Sequence, residues 1–262
     1  MKRIPGHIVG LNAELIKGGV RYIHWKSNIH LKEGLYGETD LDILVHSDDK
    51  KKFVSIASHY EFVKVISPIW CSYPFIEDFV GCDPETGIMI HLHVHYKMLT
   101  GFKGVKHYRI PWEVKILESR IIDTETGWPL PTNVDEFIVF LMRMQLKSTL
   151  RSYFTNSAVY PNHVVDEYRY LSNKVKADQL MERLDNFEVE LTEGEIRCLL
   201  LGDDYNTIKA IGKKVVSQIK HGSRYSFPVT LLVSFYKGAV YWLARRNHRK
   251  GKLSVFKKRL NK

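Results

Sequence analysis

Two aspartates, Asp40 and Asp42, stand two positions apart in a segment with the pattern of a β-strand. Leu41, Ile43 and Val45 alternate with them, so both carboxylates should face the same side of a sheet. Carboxylates placed in this way can hold a divalent cation, and Mg²⁺ typically takes one or two carboxylates together with substrate phosphates. Such a cation neutralises a departing pyrophosphate and aligns an attacking oxygen. The pair therefore indicates metal-assisted transfer of a phosphate or nucleotide group.

A short polar segment, Lys26-Ser27-Asn28, precedes the aspartates and leads into a predicted helix over 29–35, for which Ser27 and Asn28 are the expected caps. The N–H groups and the dipole at a helix start attract phosphate, and Lys26 adds a positive charge. We therefore expect Lys26, Ser27 and Asn28 to bind the phosphates of a nucleotide. The alternative is a strand edge with solvated acids, because a lone Asp-x-Asp pair often arises by chance.

Three histidines, His91, His93 and His95, alternate along a predicted strand over 88–96 and should share one of its faces. A face with three histidines can bind zinc, although no pair of cysteines accompanies them here. The alternative is that one or two of them are packed and hydrogen-bonded beside the aspartates. We expect one of the three to be functional.

The predicted elements change in kind near residue 130. Helices over 7–17, 29–35 and 50–60 alternate with strands over 20–25, 39–46, 62–66, 75–80 and 88–96. Beyond them the pattern predicts only helices, over 133–153, 162–171, 176–186, 193–200, 205–220 and 228–246. We therefore predict an α/β (α+β) fold with a mixed sheet and flanking helices over 1–130, a helical domain over 131–246 and a basic tail over 247–262.

Several motifs in combination resemble the polymerase-β-like nucleotidyltransferase superfamily. They are Trp25-Lys26-Ser27-Asn28, the stretch Gly37-Glu38-Thr39-Asp40-Leu41-Asp42-Ile43-Leu44-Val45, His93-Val94-His95-Tyr96, Gly101, and Tyr108-Arg109-Ile110-Pro111-Trp112-Glu113. The chain looks most similar to a bacterial branch of uncharacterised nucleotidyltransferases, some of which are fused to a thymidylate-kinase-like domain. The resemblance covers roughly residues 8–150 of the sequence. It implies a nucleotidyltransferase-type sheet and a Mg²⁺ or Mn²⁺ ion held by Asp40 and Asp42.

The resemblance also implies that a basic residue on the first helix of the helical domain contacts the triphosphate. Arg143 and Lys147 are four residues apart and share a helix face there, and Arg109 is a further candidate. The alternative for Arg143 and Lys147 is two solvated side chains.

The chain departs from the superfamily at two positions. Lys26-Ser27 replaces the usual Gly-Ser, and His93 stands where the resemblance implies a third carboxylate. Imidazole suits zinc, copper, iron or nickel better than magnesium, but its pKa near neutrality also allows general-base catalysis. We therefore expect His93 either to complete the metal shell or to act as the base.

The net charge of +10 is concentrated at the C-terminal end. Nine of the 39 lysines and arginines lie between Gly238 and Lys262, where there is no Asp or Glu, which leaves 30 basic against 29 acidic side chains elsewhere. A nearly neutral body argues against a nucleic-acid substrate, whereas the basic tail fits an anionic membrane surface, a nucleic acid or a protein partner. The apolar, aromatic helix before the tail resembles an interfacial anchor, with packing on the body as the alternative.

The remaining features indicate a cytoplasmic protein, peripheral at the membrane if the tail binds there. The three cysteines have no metal-binding spacing, and the sequence suggests neither a secretion signal nor a clear membrane-spanning run. The expected function is a metal-dependent transfer of a nucleoside monophosphate from an NTP to an acceptor, for which a cell-surface glycan precursor is the first choice. The alternative is a catalytically silent nucleotide-binding or scaffold module that works with a kinase or a glycan-assembly enzyme.

Overall fold

The structure is a computed structural model that describes residues 3–102, 104–147, 160–202, 204–219 and 222–260, with the backbone alone for 247–260. It is a mixed α/β fold in which a five-stranded sheet and its helices are followed by a helical region, as the sequence predicts.

The central sheet has the strand order β1-β2-β5-β4-β3. Strands β2 and β5 run parallel, and the other neighbouring pairs are antiparallel. The bounds are β1 Tyr22–His24, β2 Leu41–Val45, β3 Val63–Val65, β4 Ile76–Cys82 and β5 Met89–His95. Two small hairpins that the sequence patterns do not predict pair β6 Met98–Thr100 with β7 Tyr108–Ile110, and β8 Ile121–Ile122 with β9 Pro129–Leu130.

One face of the sheet is closed by helices from the first part of the chain. These are α1 Gly6–Lys17, α2 Leu31–Leu35 and α3 Lys50–His59, while α4 Glu113–Glu118 lies further along. Alternate residues of β2 and β5 enter this core and are fully buried, namely Leu41, Ile43, Ile90, Leu92 and Val94. The period-two pattern of the two strands therefore has its expected effect, because these alternate apolar side chains are removed from water on the same side of the sheet.

The other face of the sheet packs against the helical region. Its helices are α5 Asn133–Leu146, α6 Asn162–Ser172, α7 Ala177–Asn186, α8 Glu193–Leu201, α9 Tyr205–Gln218 and α10 Phe227–Leu260. Helix α5 begins at a Thr132 cap and is buried along most of its length. Ile23, Trp25 and Leu44 from the sheet join the core of these helices. The element type changes near residue 130, but the hydrophobic core continues across that point.

Several predicted boundaries differ from those in the structure. Strand β2 begins at Leu41, so Asp40 lies just before it. The predicted helix over 29–35 is a 3₁₀ turn, Asn28–His30, followed by the five-residue α2. The helix predicted over 133–153 ends at Leu146, and residues 148–159 lie outside the described residues.

The last helix is longer than predicted, and it contains a segment that the sequence analysis did not identify as a clear membrane-spanning run. The backbone of α10 continues to Leu260 through most of the basic tail. One part of it, the 20 residues Phe227–Arg246, is long and apolar enough to cross a membrane by length and composition, a test that core helices can also pass.

Candidate active site

The candidate site lies where three strands bring polar side chains to the same face of the sheet. Asp42 on β2 is opposite His93 on β5, and His93 is in turn opposite Asp78 on β4. Directly opposite residues project from the same side of a sheet. The ligand atoms of Asp42, His93 and His95 lie within 4.8 Å of one another, as do those of Asp78, His91 and His93. Either group of three could hold a divalent metal ion.

The two predicted aspartates have different surroundings at this site. Asp42 is half-buried on β2, but Asp40 is exposed before the strand and belongs to neither group of possible ligands among the described residues. Strand parity still directs both to one side. The carboxylate nearest to His93 on its other side is Asp78, which the motif did not indicate.

Asp78 holds two of the three histidines. Its Oδ1 lies 2.6 Å from Nδ1 of His93 and 3.0 Å from Nε2 of His91, while Ser67 Oγ donates to its Oδ2 at 2.6 Å. Burial raises the pKa of Asp78, but these hydrogen bonds outweigh it and keep the carboxylate ionised. The same contact raises the pKa of His91. Because an ionised carboxylate only accepts, His93 must donate its Nδ1 proton and present Nε2 on its other side.

Asp42 is paired with Lys26, whose Nζ forms an ion pair with its Oδ1. Burial raises the pKa of Asp42, but Lys26 and then His95 outweigh it, so the pKa lies well below its usual range. His95 Nε2 is 3.7 Å from the same oxygen, beyond a hydrogen bond. His95 is fully buried, and neither of its ring nitrogens has a hydrogen-bond partner in the described parts of the chain. Burial and Lys26 lower its pKa, which keeps the imidazole neutral.

Four basic residues surround Asp42 and His93, and the pKa of each is lowered. Burial and the charge of Lys26 lower the pKa of Lys106 to about 7, and Lys106 Nζ is 3.2 Å from His93 Nε2. Lys147 is exposed, but partial loss of solvation lowers its pKa, with a further contribution from Arg143. Burial lowers the pKa values of Lys26 and Arg143, although Asp42 attracts both. Cations that lose solvation and repel one another form a favourable environment for a polyanion.

The turn after β1 is built differently from the predicted helix start. Ser27 has left-handed backbone angles, with φ 55° and ψ 50°, and makes no capping hydrogen bond with its side chain. The backbone N–H of Asn28 donates to Glu136 Oε1 on α5 at 2.9 Å, and the Asn28 Oδ1 lies 2.5 Å from His24 Nδ1. One N–H group that was expected to bind phosphate is therefore already engaged. The expectation that Ser27-Asn28 caps a regular helix was wrong.

Three residues of the site were missed by the sequence reasoning. Asp78 lies on a predicted strand, and its parity could have been compared with that of His93. Lys106 lies between the short strands β6 and β7, and Glu136 lies on α5, where no local pattern marks either residue. Arg109, which was a candidate, instead binds Glu113 with its Nε at 3.0 Å from the carboxylate.

The site thus contains carboxylates, a neutral imidazole, imidazoles that are hydrogen-bonded to a carboxylate, and several basic side chains. These groups lie on one partly exposed face of the sheet. No protein-family model matches this chain, and no curated protein matches it. The function must therefore be inferred from the chemistry of these side chains.

Proposed function

We propose that the protein is a metal-dependent nucleotidyltransferase that transfers a nucleoside monophosphate from an NTP to an acceptor and releases pyrophosphate. The observation that supports this most directly is the convergence of Asp42, His93 and four basic side chains on one face of the sheet. We place the protein in the cytoplasm, with a cell-surface glycan precursor as the first acceptor class to test.

The triphosphate would be bound by these four cations, of which Lys147 is exposed and the other three are partly or largely buried. Lys26 and Lys106 lie on the side of the sheet. Arg143 lies on α5, and Lys147 is the residue that directly follows this helix. Burial is the main cause of their lowered pKa values. A triphosphate between them would replace the lost solvation, since each phosphate oxygen accepts charge-assisted hydrogen bonds. The proposal therefore gives Arg143 and Lys147 the role that the resemblance implies, and it adds Lys106 to them.

His93 is better suited to act as a base than as a magnesium ligand. Asp78 accepts a hydrogen bond from the Nδ1–H group of His93, which fixes the tautomer and leaves the lone pair on Nε2. A carboxylate that orients an imidazole in this way also stabilises the imidazolium that forms when a proton is taken up. His93 would thus accept the proton of the attacking hydroxyl at Nε2, once Lys106 has turned towards phosphate.

Asp40 and Asp42 would hold a Mg²⁺ or Mn²⁺ ion together with the triphosphate. When bound, the ion would neutralise the charge of the departing pyrophosphate. The donor set fits in part, because Asp42 supplies oxygen but its Oδ1 is paired with Lys26. A triphosphate would attract Lys26 and so free that oxygen.

A second candidate function is a catalytically silent nucleotide-binding or scaffold module that works with a kinase or a glycan-assembly enzyme. The observation that favours it is the Lys26 ammonium on Asp42, which supplies the positive charge that a metal ion would otherwise provide. The exposed position of Asp40, outside both groups of possible ligands in the described structure, points the same way.

One experiment separates the two functions. The full chain is incubated with each α-labelled NTP and Mg²⁺ or Mn²⁺, and released pyrophosphate and labelled product are measured. A transferase releases pyrophosphate, whereas a silent module binds the NTP without releasing it. Asp42→Asn should remove the release, and Asp48→Asn is the matched control because Asp48 is an exposed acid away from the site.

A further inference from the structure

The first 20 residues of α10 expose apolar side chains over most of the helix circumference. A narrow stripe faces the body, with Thr230 buried and Val233, Lys237, Val240 and Ala244 partly covered at spacings of three and four residues. The remaining surface is exposed, with Leu232 at 68%, Phe235 at 69%, and Tyr236, Trp242 and Leu243 each more than half exposed. Packing on the body therefore explains only a minor part of this apolar surface.

A second apolar surface lies in the segment 66–75 between β3 and β4. Ile66 is 92% exposed and Ile69 is 64% exposed, and Phe75 is also exposed at the far end of the segment. Apolar residues scattered singly on a surface need no explanation, but a contiguous group marks a site of interaction.

The two surfaces meet through direct contacts. Lys237 Nζ donates to the backbone oxygen of Ser72 at 3.0 Å and lies 4.1 Å from the ring centroid of Tyr73. The rings of Trp70 and Tyr241 are in edge contact, with their centroids 6.3 Å apart. Segment 66–75 thus lies beside α10. We call the exposed apolar residues of the two elements the apolar ledge: Ile66, Ile69, Phe75, Leu232, Phe235, Tyr236, Trp242 and Leu243.

Basic residues follow the ledge directly. Arg245 and Arg246 are exposed, and the Arg246 guanidinium lies 5.4 Å from the ring centroid of Trp242. Seven more lysines and arginines follow in the sequence up to Lys262, with no acidic residue among them. Aromatic side chains next to a basic segment are typical of the interface between lipid headgroups and acyl chains.

We propose that the apolar ledge inserts into the interfacial region of an anionic lipid bilayer, with the basic segment from Arg245 onward bound to the headgroups. The free energy falls when exposed aromatic and aliphatic side chains leave water, and nearby Lys and Arg side chains are attracted to an anionic surface. The charge sign selects anionic lipid, because a neutral bilayer would leave the basic segment unpaired.

The helix lies on the bilayer in this proposal and does not cross it. The Lys237 ammonium sits in the middle of the apolar stretch and is held by the backbone oxygen of Ser72. A spanning position would carry Lys237 and segment 66–75 into the hydrocarbon core, where polar backbone groups outside helices and barrels are not tolerated. A second copy of the chain is a poorer occupant, because two identical basic segments would repel each other.

The test is sedimentation of the full chain with phosphatidylcholine vesicles, with and without phosphatidylserine, at low and at high salt. We expect binding to the phosphatidylserine vesicles at low salt and weaker binding at high salt. Phe235→Ser combined with Trp242→Ser should weaken binding at least about tenfold. Ile66→Ser combined with Ile69→Ser should weaken it by a smaller factor. Leu201→Ser is the matched control, because Leu201 is 71% exposed on α8, outside the ledge, and it should bind like the unchanged protein.

Three results would overturn the proposal. The first is that the unchanged protein ignores phosphatidylserine vesicles at low salt. The second is that the Phe235/Trp242 double variant binds as well as the Leu201→Ser control while its circular dichroism is unchanged. The third is a stable dimer in light scattering that the double variant dissociates, since the ledge would then be covered by a second copy. These readouts do not require turnover, so they stand apart from the test of the proposed activity.

Discussion

The two faces of the central sheet are built from the same strands but behave as opposites. On one face, Leu92 and its apolar neighbours are buried against α1 and α3. On the other, His93 and Asp42 stand half-buried among cations whose solvation is incomplete. Neighbouring residues on β5 therefore have different roles. Leu92 stabilises the fold, whereas His93 has a side chain suited to catalysis. Substitutions on the first face should reduce stability, and those on the second should reduce function while the fold survives.

The largest effect is expected from Asp42→Asn on the polar face. The amide keeps the shape of the side chain but loses the charge that pairs with Lys26 and would hold a cation. We expect turnover and metal-dependent nucleotide binding to be abolished while circular dichroism stays native. Asp40→Asn should act in the same direction. Unchanged metal affinity by calorimetry in both variants would contradict the assignment of the metal site.

The matching substitution on the buried face is Leu92→Ala. Leu92 is fully buried, so its loss removes apolar burial and leaves a cavity. We expect the free energy of unfolding to fall by about 2–5 kcal/mol, as measured by urea denaturation, with nucleotide affinity retained below the transition. An equal loss of stability in His93→Ala would erase the distinction between the faces.

A smaller effect on activity is expected from Asp78→Asn, which tests the base. Without the carboxylate, His93 loses the acceptor that fixes its tautomer, and loss of such an orienting group typically costs about 10–100-fold. We expect kcat to fall and its dependence on pH to shift, while KM for the NTP changes little. If only KM changes, Asp78 binds substrate and does not position His93.

The smallest effect is a pH dependence that comes from Lys106, whose pKa is lowered to about 7. As the pH rises through that value, the folded protein loses this ammonium charge, so affinity for the NTP should decline. Lys106→Arg stays charged and should remove the decline. The free energy of unfolding should instead rise as the pH increases above 7. The reason is that the unfolded chain then binds more protons than the folded one. Calorimetry on both sides of pH 7 measures the first effect.

Local pattern was enough to predict the two strands that carry the candidate site. The alternation in β2 and β5 gave the buried set and placed His93 on the face opposite Leu92, which is where the structure has it. The helical region also follows from its periodic apolar residues. Such patterns reflect contacts within one element, where spacing along the chain is spacing in the structure.

The partners of the site could not be predicted in that way. Asp78 reaches His93 across an antiparallel pair, and Glu136 reaches Asn28 from a helix 108 positions away in sequence. Lys106 reaches His93 from a connection between two three-residue strands. Each contact depends on how elements are arranged, and no periodicity within a single element encodes it. The bond between Glu136 and Asn28 also lies beside the left-handed turn at Ser27, where a phosphate-binding helix start was predicted.

One hydrophobic core contains residues from both sides of position 130, and this limits how the chain can be divided or recombined. If the first 130 residues were separated from the rest, Ile23, Trp25 and Leu44 would lose the helices that cover them. Asn28 would also lose Glu136. The sheet and the helical region should thus evolve as a single unit. Recombination that exchanges one without the other should yield misfolded chains that cells degrade. A fusion to another enzyme should therefore not separate these two regions.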